Sequence, residues 1–234
     1  MSVSIKLSEI EQAYQKIKEG GLIVCPTRVG YILVGNTEKA IRRKFELKHR
    51  PLQKSAVVLT DFEQIFDIAE VPPEAKRFID AIEQADLLCG FIMKRREEKF
   101  AKLDAFTRDI TRQPDGTSCF VIHHGDYSEY LTRRAKSDGT YVFASSANRS
   151  GTGNRGRFEN IGEEIVNGVD YAIEDNAYVA QRYEPDSGEQ GVMVSFMGKQ
   201  PAVIRQGLNM KEIAEILDRV YGKDGWEMRH GEHP

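Results

Sequence analysis

The sequence predicts an α/β protein built on a twisted, mixed β-sheet with helices packed against it. Helix-like and strand-like patterns alternate along the chain. The first helix shows apolar residues at 10, 13, 14 and 17, and the apolar run Leu22–Cys25 follows at once. Several neighbouring strand candidates have too few residues between them for the helical crossover that parallel strands require. A mixed sheet therefore fits the pattern better than a purely parallel one.

The first αβ unit is predicted from local start and stop patterns. The range Ser8–Glu11 has the S-x-x-E form of a capping box, so we expect the helix to begin there. The glycine pair Gly20–Gly21 ends it, because glycine accepts the left-handed conformation that follows a helix. The buried strand Leu22–Cys25 then runs to Pro26, which is expected to end it.

Similar units recur along the rest of the chain. A second helix is predicted over Thr37–Lys48, Asp61 is expected to cap a short helix through Ile68, and Val71–Pro73 opens another helix. Two further helices are expected near Glu159–Asn167 and Met210–Tyr221. The remaining strand candidates are Ala56–Leu59, Leu88–Met93, Ser118–Ile122, Val142–Ala144, Tyr171–Ile173, Val192–Phe196 and Ala202–Ile204.

Composition favours a globular protein. Of the 234 residues, 40% are hydrophobic and 29% are charged, which is enough apolar material for a buried core. No apolar run approaches the roughly 20 residues that cross a bilayer, and the amino-terminal residues lack a secretory signal pattern. We therefore expect a cytoplasmic protein without membrane contact. Residues 1–222 are predicted to form a single domain and residues 223–234 a frayed tail.

The cysteines and histidines predict no metal site. Cys25, Cys89 and Cys119 each lie in an apolar stretch, and none belongs to a C-x-x-C pair. Buried, reduced thiols are the expected state. His123 and His124 are adjacent, so on a strand they would point to opposite faces and could not share a metal ion.

Basic residues concentrate between positions 39 and 54, although the whole chain carries a net charge of −3. A solvated helix face is the plain interpretation of such a run. Its end differs, because Pro51 biases Arg50 away from helical geometry and side chains two residues apart share a face. Lys48 and Arg50 therefore suit a polyphosphate. The run contains Lys39, Arg42, Arg43, Lys44, Lys48, Arg50 and Lys54 against Glu46 alone, a net charge of +6.

Two further polar segments follow predicted strands. Ser145–Gly151 comes directly after the strand at Val142–Ala144, and Arg205–Gly207 follows the last one. Hydroxyl and amide groups at the carboxyl end of a strand are well placed for a ligand, but serine, asparagine and glycine are also ordinary turn residues. No phosphate loop, dinucleotide fingerprint or nucleophile elbow occurs in the sequence.

Taken in order, these segments resemble the YrdC/YciO family of threonylcarbamoyl-adenylate synthases. The resemblance runs from about Gly20 to Gly207. The first matching segment is Gly20–Thr27, which has a glycine pair, a strand and a Pro-Thr turn, and it is followed by Tyr31 and Leu33. The second is Lys48–Pro51, a Lys-x-Arg-Pro element, and the third is Ser146–Gly151, a Ser-x-Asn-x-Ser-Gly element. The last is the Arg-x-Gly ending at Arg205–Gly207.

The resemblance implies a twisted mixed sheet around a deep, positively charged cavity. It also implies a nucleotidyltransferase that converts L-threonine, bicarbonate and ATP, with magnesium carried by the nucleotide, into threonylcarbamoyl-AMP and pyrophosphate. That product feeds the threonylcarbamoyl modification of tRNA, so tRNA-modification proteins are expected partners. The implied catalytic residues, which would grip the triphosphate, are Lys48 and Arg50. The implied nucleotide- and substrate-binding residues are Thr27, Tyr31, Ser146, Asn148 and Arg205.

Four segments depart from the family pattern. Pro26–Val29 replaces Pro-Thr-Asp-Thr, Asp86–Gly90 replaces Pro-Gly-Pro-x-Thr, Val121 stands where an arginine is expected, and Gly191–Ser195 replaces Ser-Thr-Val-Val-Asp. These are pocket positions, so adenylation of carbamate or of another amine is an alternative function.

A second alternative belongs to a different class of protein, a non-catalytic RNA-binding paralogue. In it the basic run would line a groove for the RNA backbone, together with Lys94–Arg96, Arg149, Arg155 and Arg157.

Overall fold

The structure is a computed structural model that describes residues 5–51, 56–153 and 155–229. Lys54 and residues 230–234 of the expected tail lie outside the described residues. The helices are α1 (Leu7–Lys18), α2 (Glu38–Leu47), α3 (Phe62–Ile68), α4 (Pro73–Gln84), α5 (Ala105–Ile110), α6 (Asp126–Ser137), α7 (Glu163–Gly168), α8 (Asn176–Val179) and α9 (Met210–Tyr221). The strands are β1 (Ile23–Thr27), β2 (Gly30–Gly35), β3 (Val57–Leu59), β4 (Cys89–Lys94), β5 (Thr117–Ile122), β6 (Val142–Ser146), β7 (Tyr171–Ala172), β8 (Val192–Ser195), β9 (Ala202–Arg205) and β10 (Glu227–Met228).

The described strands join in one sheet, in the order β10-β9-β8-β4-β5-β3-β6-β2-β1-β7. Parallel and antiparallel neighbours occur side by side: β3 runs parallel to β5 and antiparallel to β6. The predicted α/β class with a mixed sheet is therefore confirmed. None of the helices in the described part of the chain has the length and apolar character needed to cross a membrane.

One face of the middle of the sheet packs against helices of a core cluster, whereas the other face is covered by α6 only in part. Val58 of β3 and Phe120 of β5 belong to a core cluster that also contains side chains of α2, α4 and α9. Side chains alternate along a strand, so Leu59 and Val121 point the opposite way, and both line a cavity. One face of the sheet therefore packs against the core, and part of the opposite face forms the floor of a cavity.

The amino-terminal helix has the predicted apolar face but not the predicted start. Ile10 and Ile17 are fully buried in a second core cluster with β1, β2 and α6. The capping box at Ser8 is wrong, because α1 begins at Leu7 and its N-cap is Lys6, which has no side-chain cap. Lys6 is held instead by its backbone N–H, which donates to the Tyr127 hydroxyl at 2.9 Å.

The expected end of the first strand at Pro26 is also wrong. β1 continues through Pro26 to Thr27, and Pro26 pairs with Tyr31 of β2. On its other side β1 pairs with β7 only at Ile23 and Val24. Proline has no N–H to donate, and it fits here because one side of the strand carries no ladder at that point.

Several elements were not predicted, among them β2, α5, α6, α8 and β10. The tail prediction is wrong for residues 227 and 228, since β10 pairs with β9 through Glu227 and Ala202. Trp226, just before it, packs against the α4–α9 core cluster and donates its indole N–H to Asp218 at 2.8 Å. The three cysteines are buried and free, as expected.

Candidate functional site

The cavity above the sheet has a volume of about 490 Å³. Its floor is apolar and comes from alternate residues of five strands. Its rim is largely polar and comes from the carboxyl ends of β1, β6 and β9, the segment after α2, and residues next to β4, β5 and β8. The floor contains Ile32, Val57, Leu59, Cys119, Val121, Ala144 and Met193. The rim contains Thr27, Val29, Lys48, Arg50, Leu88, His124, Ser145, Ser146, Asn148, Ser150, Gly151, Gly153, Gln190, Gly191 and Arg205.

Most residues singled out in the sequence meet in this cavity, although they come from distant parts of the chain. Those that line it are Thr27, Lys48, Arg50, Ser146, Asn148 and Arg205. Tyr31 does not line it. On β2 the neighbouring Ile32 faces the cavity, and the Tyr31 ring lies in the amino-terminal core. The Tyr31 hydroxyl donates to Asn176 Oδ1 at 2.9 Å and accepts the Asp175 N–H at 3.0 Å.

A reversal at the end of α2 places Arg50 on the cavity wall. His49 is in the left-handed region with φ of 48°. The Arg50 N–H donates to the Phe45 carbonyl and the His49 N–H to the Glu46 carbonyl, both at 2.9 Å. This pair of bonds is the Schellman motif, which satisfies the last carbonyls of a helix. It turns the chain sharply between Lys48 and Pro51.

Lys48 connects this reversal to the segment after β6. Its side chain is 1% exposed, and its ammonium donates to the carbonyls of Ser146 and Asn148, the second at 2.7 Å. The Ser150 N–H donates back to the Lys48 carbonyl at 2.9 Å. Burial, together with the positive charge of Arg50, lowers the pKa of Lys48 to about 7. Lys48 therefore fixes the geometry of the site as well as carrying charge.

Two polar atoms at the carboxyl end of β6 and just after it are buried without a partner among the described residues. Ser145 Oγ and Asn148 Oδ1 have no hydrogen-bond partner within the described residues, although Asn148 Nδ2 donates to the Arg149 carbonyl at 2.8 Å. Buried polar atoms are normally bonded, so exceptions that line a cavity point to a ligand. Ser145 was not among the residues predicted to bind a ligand. The sequence feature that could have indicated such a role is its position next to Ser146, in the same polar segment.

The cavity is electropositive. Lys48, Arg50 and Arg205 line it, and none of the described lining residues is Asp or Glu. Burial lowers the pKa of both arginines. Arg205 is held in place by bonds from its Nε to the Gly191 carbonyl and from its Nη1 to Gln190 Oε1, both at 2.8 Å. Positively charged side chains on the wall of a cavity favour binding of an anion.

His124 adds no positive charge to the wall. Its imidazole is buried, with Nδ1 lying 2.7 Å from Ser128 Oγ and Nε2 lying 3.2 Å from the Thr60 carbonyl. Burial lowers the pKa of His124 to about 3. The ring is therefore neutral near pH 7, and its two nitrogens are taken up by the protein itself.

The β1–β2 turn presents little hydrogen-bonding capacity to the cavity. The Thr27 hydroxyl donates to the Gly30 carbonyl at 2.9 Å and accepts the Val29 N–H at 3.2 Å. Arg28 turns away and donates to the Asp86 carboxylate and carbonyl, each at 2.6 Å. Val29, by contrast, lines the cavity. The departures of this segment from the family pattern thus leave an apolar wall.

Comparisons with known proteins agree on one family. Residues 15–207 match the family Sua5_yciO_yrdC, described as Telomere recombination. The hypothetical protein smu.1377c from Streptococcus mutans UA159 is 36% identical, with a TM-score of 0.84, and the match covers 95% of this chain and 94% of that one. The search of curated proteins found no match.

Two more distant structures share the fold. Pyrococcus abyssi (P. abyssi) Sua5 complexed with L-threonine has a TM-score of 0.71 at 21% identity, and the match covers 97% of this chain but 61% of Sua5. Full-length HypF in the phosphate- and nucleotide-bound form has a TM-score of 0.64 at 16% identity, over 89% of this chain and 25% of HypF. This chain therefore corresponds to part of each of these longer proteins.

Proposed function

Because the chain belongs to the Sua5/YciO/YrdC family, we propose that its cavity binds ATP and forms a carbamoyl-type adenylate, with L-threonine as the first amine to test. The observation that carries this proposal is the meeting of Lys48, Arg50 and Arg205 in one cavity without a lining carboxylate in the described part of the chain. A triphosphate is complementary in charge to these three side chains. The unpartnered Ser145 and Asn148 oxygens supply contacts for the rest of the ligand.

The proposed reaction needs positioning and counter-charge more than a strong base. The amine and bicarbonate give a carbamate and water. A carbamate oxygen then forms a bond to the α-phosphorus while the bond to the pyrophosphate oxygen breaks. Fixed cations such as Lys48 and Arg50 stabilise the charge that develops on the leaving pyrophosphate. No pair of titratable groups suited to acid–base catalysis is found among the described lining residues, and the reaction does not require one.

Magnesium fits this cavity only on the nucleotide. No group of three His, Cys, Asp or Glu side chains that could hold a metal ion is found among the described residues, and none of the described lining side chains is a carboxylate. Magnesium prefers carboxylate, phosphate and water oxygens. When bound to ATP it neutralises phosphate charge, and Lys48 and Arg50 are left to bind the remaining phosphate oxygens.

A second candidate is adenylation of a different amine, or of carbamate itself. Val29 lines the cavity where the family pattern has a hydroxyl residue, and Arg28 is bonded to Asp86 outside it. A site built to bond a hydroxyl discriminates strongly through that bond. An apolar wall at this place favours an amine without the threonine hydroxyl, or a smaller substrate that does not reach the wall.

Pyrophosphate release separates these candidates. We expect release that requires both ATP and bicarbonate and rises when threonine is added. If alanine, valine or ammonia replaces threonine without loss of rate, the second candidate is favoured. If no amine supports release and ATP does not bind, the adenylation proposal fails.

Arg50 is the residue for the matched mutational test. Arg50→Ala should weaken ATP binding by about 10- to 100-fold, since a hydrogen-bonded charge contributes roughly 1.5–3 kcal/mol. Lys39→Ala, an exposed residue of the same basic run, is the control and should leave affinity unchanged. Equal ATP affinities of the two variants would show that Arg50 does not bind ATP.

The RNA-binding alternative finds less support in the arrangement of the basic run. Lys48 is buried, while Arg42 and Arg43 form ion pairs with Glu38 at 2.7 Å and Asp170 at 3.0 Å. Few of these charges are thus presented to a phosphate backbone. RNA affinity that falls steeply with salt, combined with no response to ATP, would nevertheless replace the adenylation proposal.

A further inference from the structure

Three segments of the cavity wall each carry a charged or imidazole side chain close to a lining residue. The lining side chains are those of Thr27, Val29, Leu88 and His124. The neighbours, which do not line the cavity, are Arg28, Asp86 and His123. Arg28 and His123 both contact Asp86. One carboxylate therefore connects three wall segments that are far apart in the chain, and the proposed reaction leaves it without a role.

The contacts of Asp86 are short and involve both of its carboxylate oxygens. The Arg28 guanidinium donates to the Asp86 carbonyl and to Oδ1, both at 2.6 Å. The His123 Nδ1 lies 3.1 Å from the same Oδ1, and the Arg182 Nη1 donates to Oδ2 at 3.2 Å. The Arg28 side chain is only 10% exposed, so removing the carboxylate would leave a largely buried guanidinium without this counter-charge, which is costly.

The backbone at Asp86 would suit glycine better than aspartate. The Asp86 N–H donates to the Glu83 carbonyl at 3.1 Å, and the Leu87 N–H donates to the Ile82 carbonyl at 3.3 Å. This is a Schellman motif at the end of α4, and Asp86, with φ of 52°, takes the left-handed position that glycine occupies with less strain. His123 is also left-handed, with φ of 53°. Strain at two contacting residues points to a use for their side chains.

The part of the wall held in this way is apolar towards the cavity. The Thr27 hydroxyl and both ring nitrogens of His124 already have hydrogen-bond partners in the protein. The His124 carbonyl accepts the Arg28 N–H at 3.1 Å, which joins two of the wall segments directly. Val29 and Leu88 line the cavity with aliphatic side chains. A ligand side chain that reaches this wall therefore meets apolar surface whose backbone is fixed through Asp86.

We propose that Asp86 is a positioning residue that holds Val29 and Leu88 as an apolar wall, and that this wall selects an amine with a branched, apolar side chain. The inference rests on the proposed function, because the amine must bind beside the wall. Valine and threonine have nearly the same shape and differ by a methyl group in place of a hydroxyl. Against Val29 and Leu88 the threonine hydroxyl would lose its bonds to water without replacement, so valine is the favoured substrate.

Amine selectivity in pyrophosphate release tests the inference. For the unmodified chain we expect kcat/KM to be about 10- to 100-fold higher with valine than with threonine. Asp86→Gly removes the carboxylate at a position where glycine is less strained, so the variant should fold. Its valine-to-threonine ratio should fall by about 10-fold, through a higher KM for valine. Its affinity for sodium triphosphate, measured by calorimetry, should be unchanged, because the phosphate-binding cations lie elsewhere on the wall.

Two further variants separate positioning from a general loss of structure. Asp86→Asn keeps the shape of the side chain and tolerates the left-handed backbone, so it should recover part of the selectivity that Asp86→Gly loses. Asp80→Ala removes a partly exposed carboxylate of α4 that pairs with Lys76 at 2.7 Å. It is the control, and its valine-to-threonine ratio should match that of the unmodified chain.

Amide hydrogen exchange of the ligand-free chain tests the positioning role without turnover. Asp86→Gly should exchange faster than the unmodified chain at residues 27–31 and 122–126 together, and Asp80→Ala should not. Unchanged exchange at both segments, or an unchanged valine-to-threonine ratio in Asp86→Gly, would overturn the role of Asp86 and leave the proposed function intact. An unmodified chain that prefers threonine would overturn selection by the wall. If that chain turns over no amine and binds no triphosphate, the proposed function fails as well.

Discussion

The Lys48 side chain makes structural hydrogen bonds and is also a candidate to bind a ligand. Its ammonium holds the carbonyls of Ser146 and Asn148, so removing it leaves two carbonyls without their donor. A fall in ATP affinity after such a change would not separate loss of binding from loss of structure.

Ser145 is the residue at which stability and binding should separate. Ser145→Ala removes a buried hydroxyl that has no partner among the described residues, so we expect the free energy of unfolding to change by less than about 0.5 kcal/mol. Triphosphate affinity should fall, because the hydroxyl is then missing from the site. Chemical denaturation and calorimetry measure the two quantities.

Ser128→Ala is the matched control, because Ser128 Oγ is also buried but has partners, lying 2.7 Å from His124 Nδ1 and 3.0 Å from the Gly125 carbonyl. It should destabilise the protein by about 1–3 kcal/mol, the cost of an unsatisfied buried partner. A stability loss in Ser145→Ala as large as in Ser128→Ala, with unchanged affinity, would mean that Ser145 is structural.

Lys44 should make stability depend on pH. In the folded chain its pKa is about 7, against about 10.5 for an unfolded lysine. Between these values the unfolded chain holds more protons, so the free energy of unfolding rises with pH, by up to about 1.4 kcal/mol per unit for one proton. Below pH 7 both states are charged and the full cost of burial remains.

Lys44→Met should therefore stabilise the protein at pH 6, by about 1–4 kcal/mol, and should flatten the rise between pH 7 and 10. Urea denaturation at a series of pH values provides the measurement, with Lys39→Met as the control. A lower stability of Lys44→Met at pH 6 would show that the ammonium is compensated in a way that the described contacts do not reveal.

The sequence distinguished some site residues better than others. Lys48, Arg50 and Asn148 could be identified because proline, glycine and polar residues at fixed spacings mark an unusual backbone. Lys44 carries the same charge in the same run, and its pattern is that of a solvated helix face. Whether a helix position is buried depends on the surface packed against it, and that surface comes from distant segments.

At the scale of elements, the end of α2 suggests a simple stability test. His49 occupies the left-handed position that a Schellman motif usually gives to glycine. His49→Gly should raise the free energy of unfolding by about 0.5–1 kcal/mol. Thermal denaturation would show this as a rise in Tm of about 1–4 °C for a chain of this size.

The change also removes the His49–Glu164 ion pair, whose partners are both exposed. Such pairs contribute about 0–1 kcal/mol, so Glu164→Gln measures that loss separately. His49→Gly should be more stable than Glu164→Gln, with triphosphate affinity unchanged in both variants. A His49→Gly chain less stable than Glu164→Gln would show that the imidazole makes a stronger contact than the ion pair.

Elements with clear local patterns were predicted well, and those that depend on packing were not. Asp61 caps α3 as expected by accepting the Gln64 N–H at 2.6 Å, and Thr37 caps α2. The helix α6 was missed because its buried side includes Ser128 and Thr132 beside Leu131. Polar residues on the inner face weaken the 3.6-residue apolar period from which a helix is recognised.

At the scale of the whole molecule, the carboxyl-terminal segment tests where the domain ends. The single domain over residues 1–222 remains a prediction, but Trp226 lies beyond it and packs on the α4–α9 core cluster. Trp226→Ala should destabilise the protein by about 1–3 kcal/mol, less than a fully buried aromatic residue would.

Met228→Ala is the control for this change, since Met228 is 39% exposed, and it should alter stability by less than about 0.5 kcal/mol. Scanning calorimetry of both variants gives the comparison. Equal effects of the two substitutions would support the expected boundary at residue 222, because the described part of the tail would then contribute nothing specific to the core.

The class of the sheet could be predicted from the sequence, but its strand order could not. Short connections ruled out a purely parallel sheet. They do not show that β4 lies beside β8, or that β6 separates β2 from β3. Such neighbours are chosen by contacts between segments far apart in the chain, and the same contacts decide which polar segments meet at the cavity rim.

The sheet between the core cluster and the cavity is a single peptide layer thick. Phe120 is packed among helices while Val121, the next residue, faces the cavity. Any repacking on the helix side moves the same backbone that supports the ligand side. Replacing Phe120 by leucine or Val58 by alanine should therefore change how a ligand fits the cavity, although neither side chain lines it.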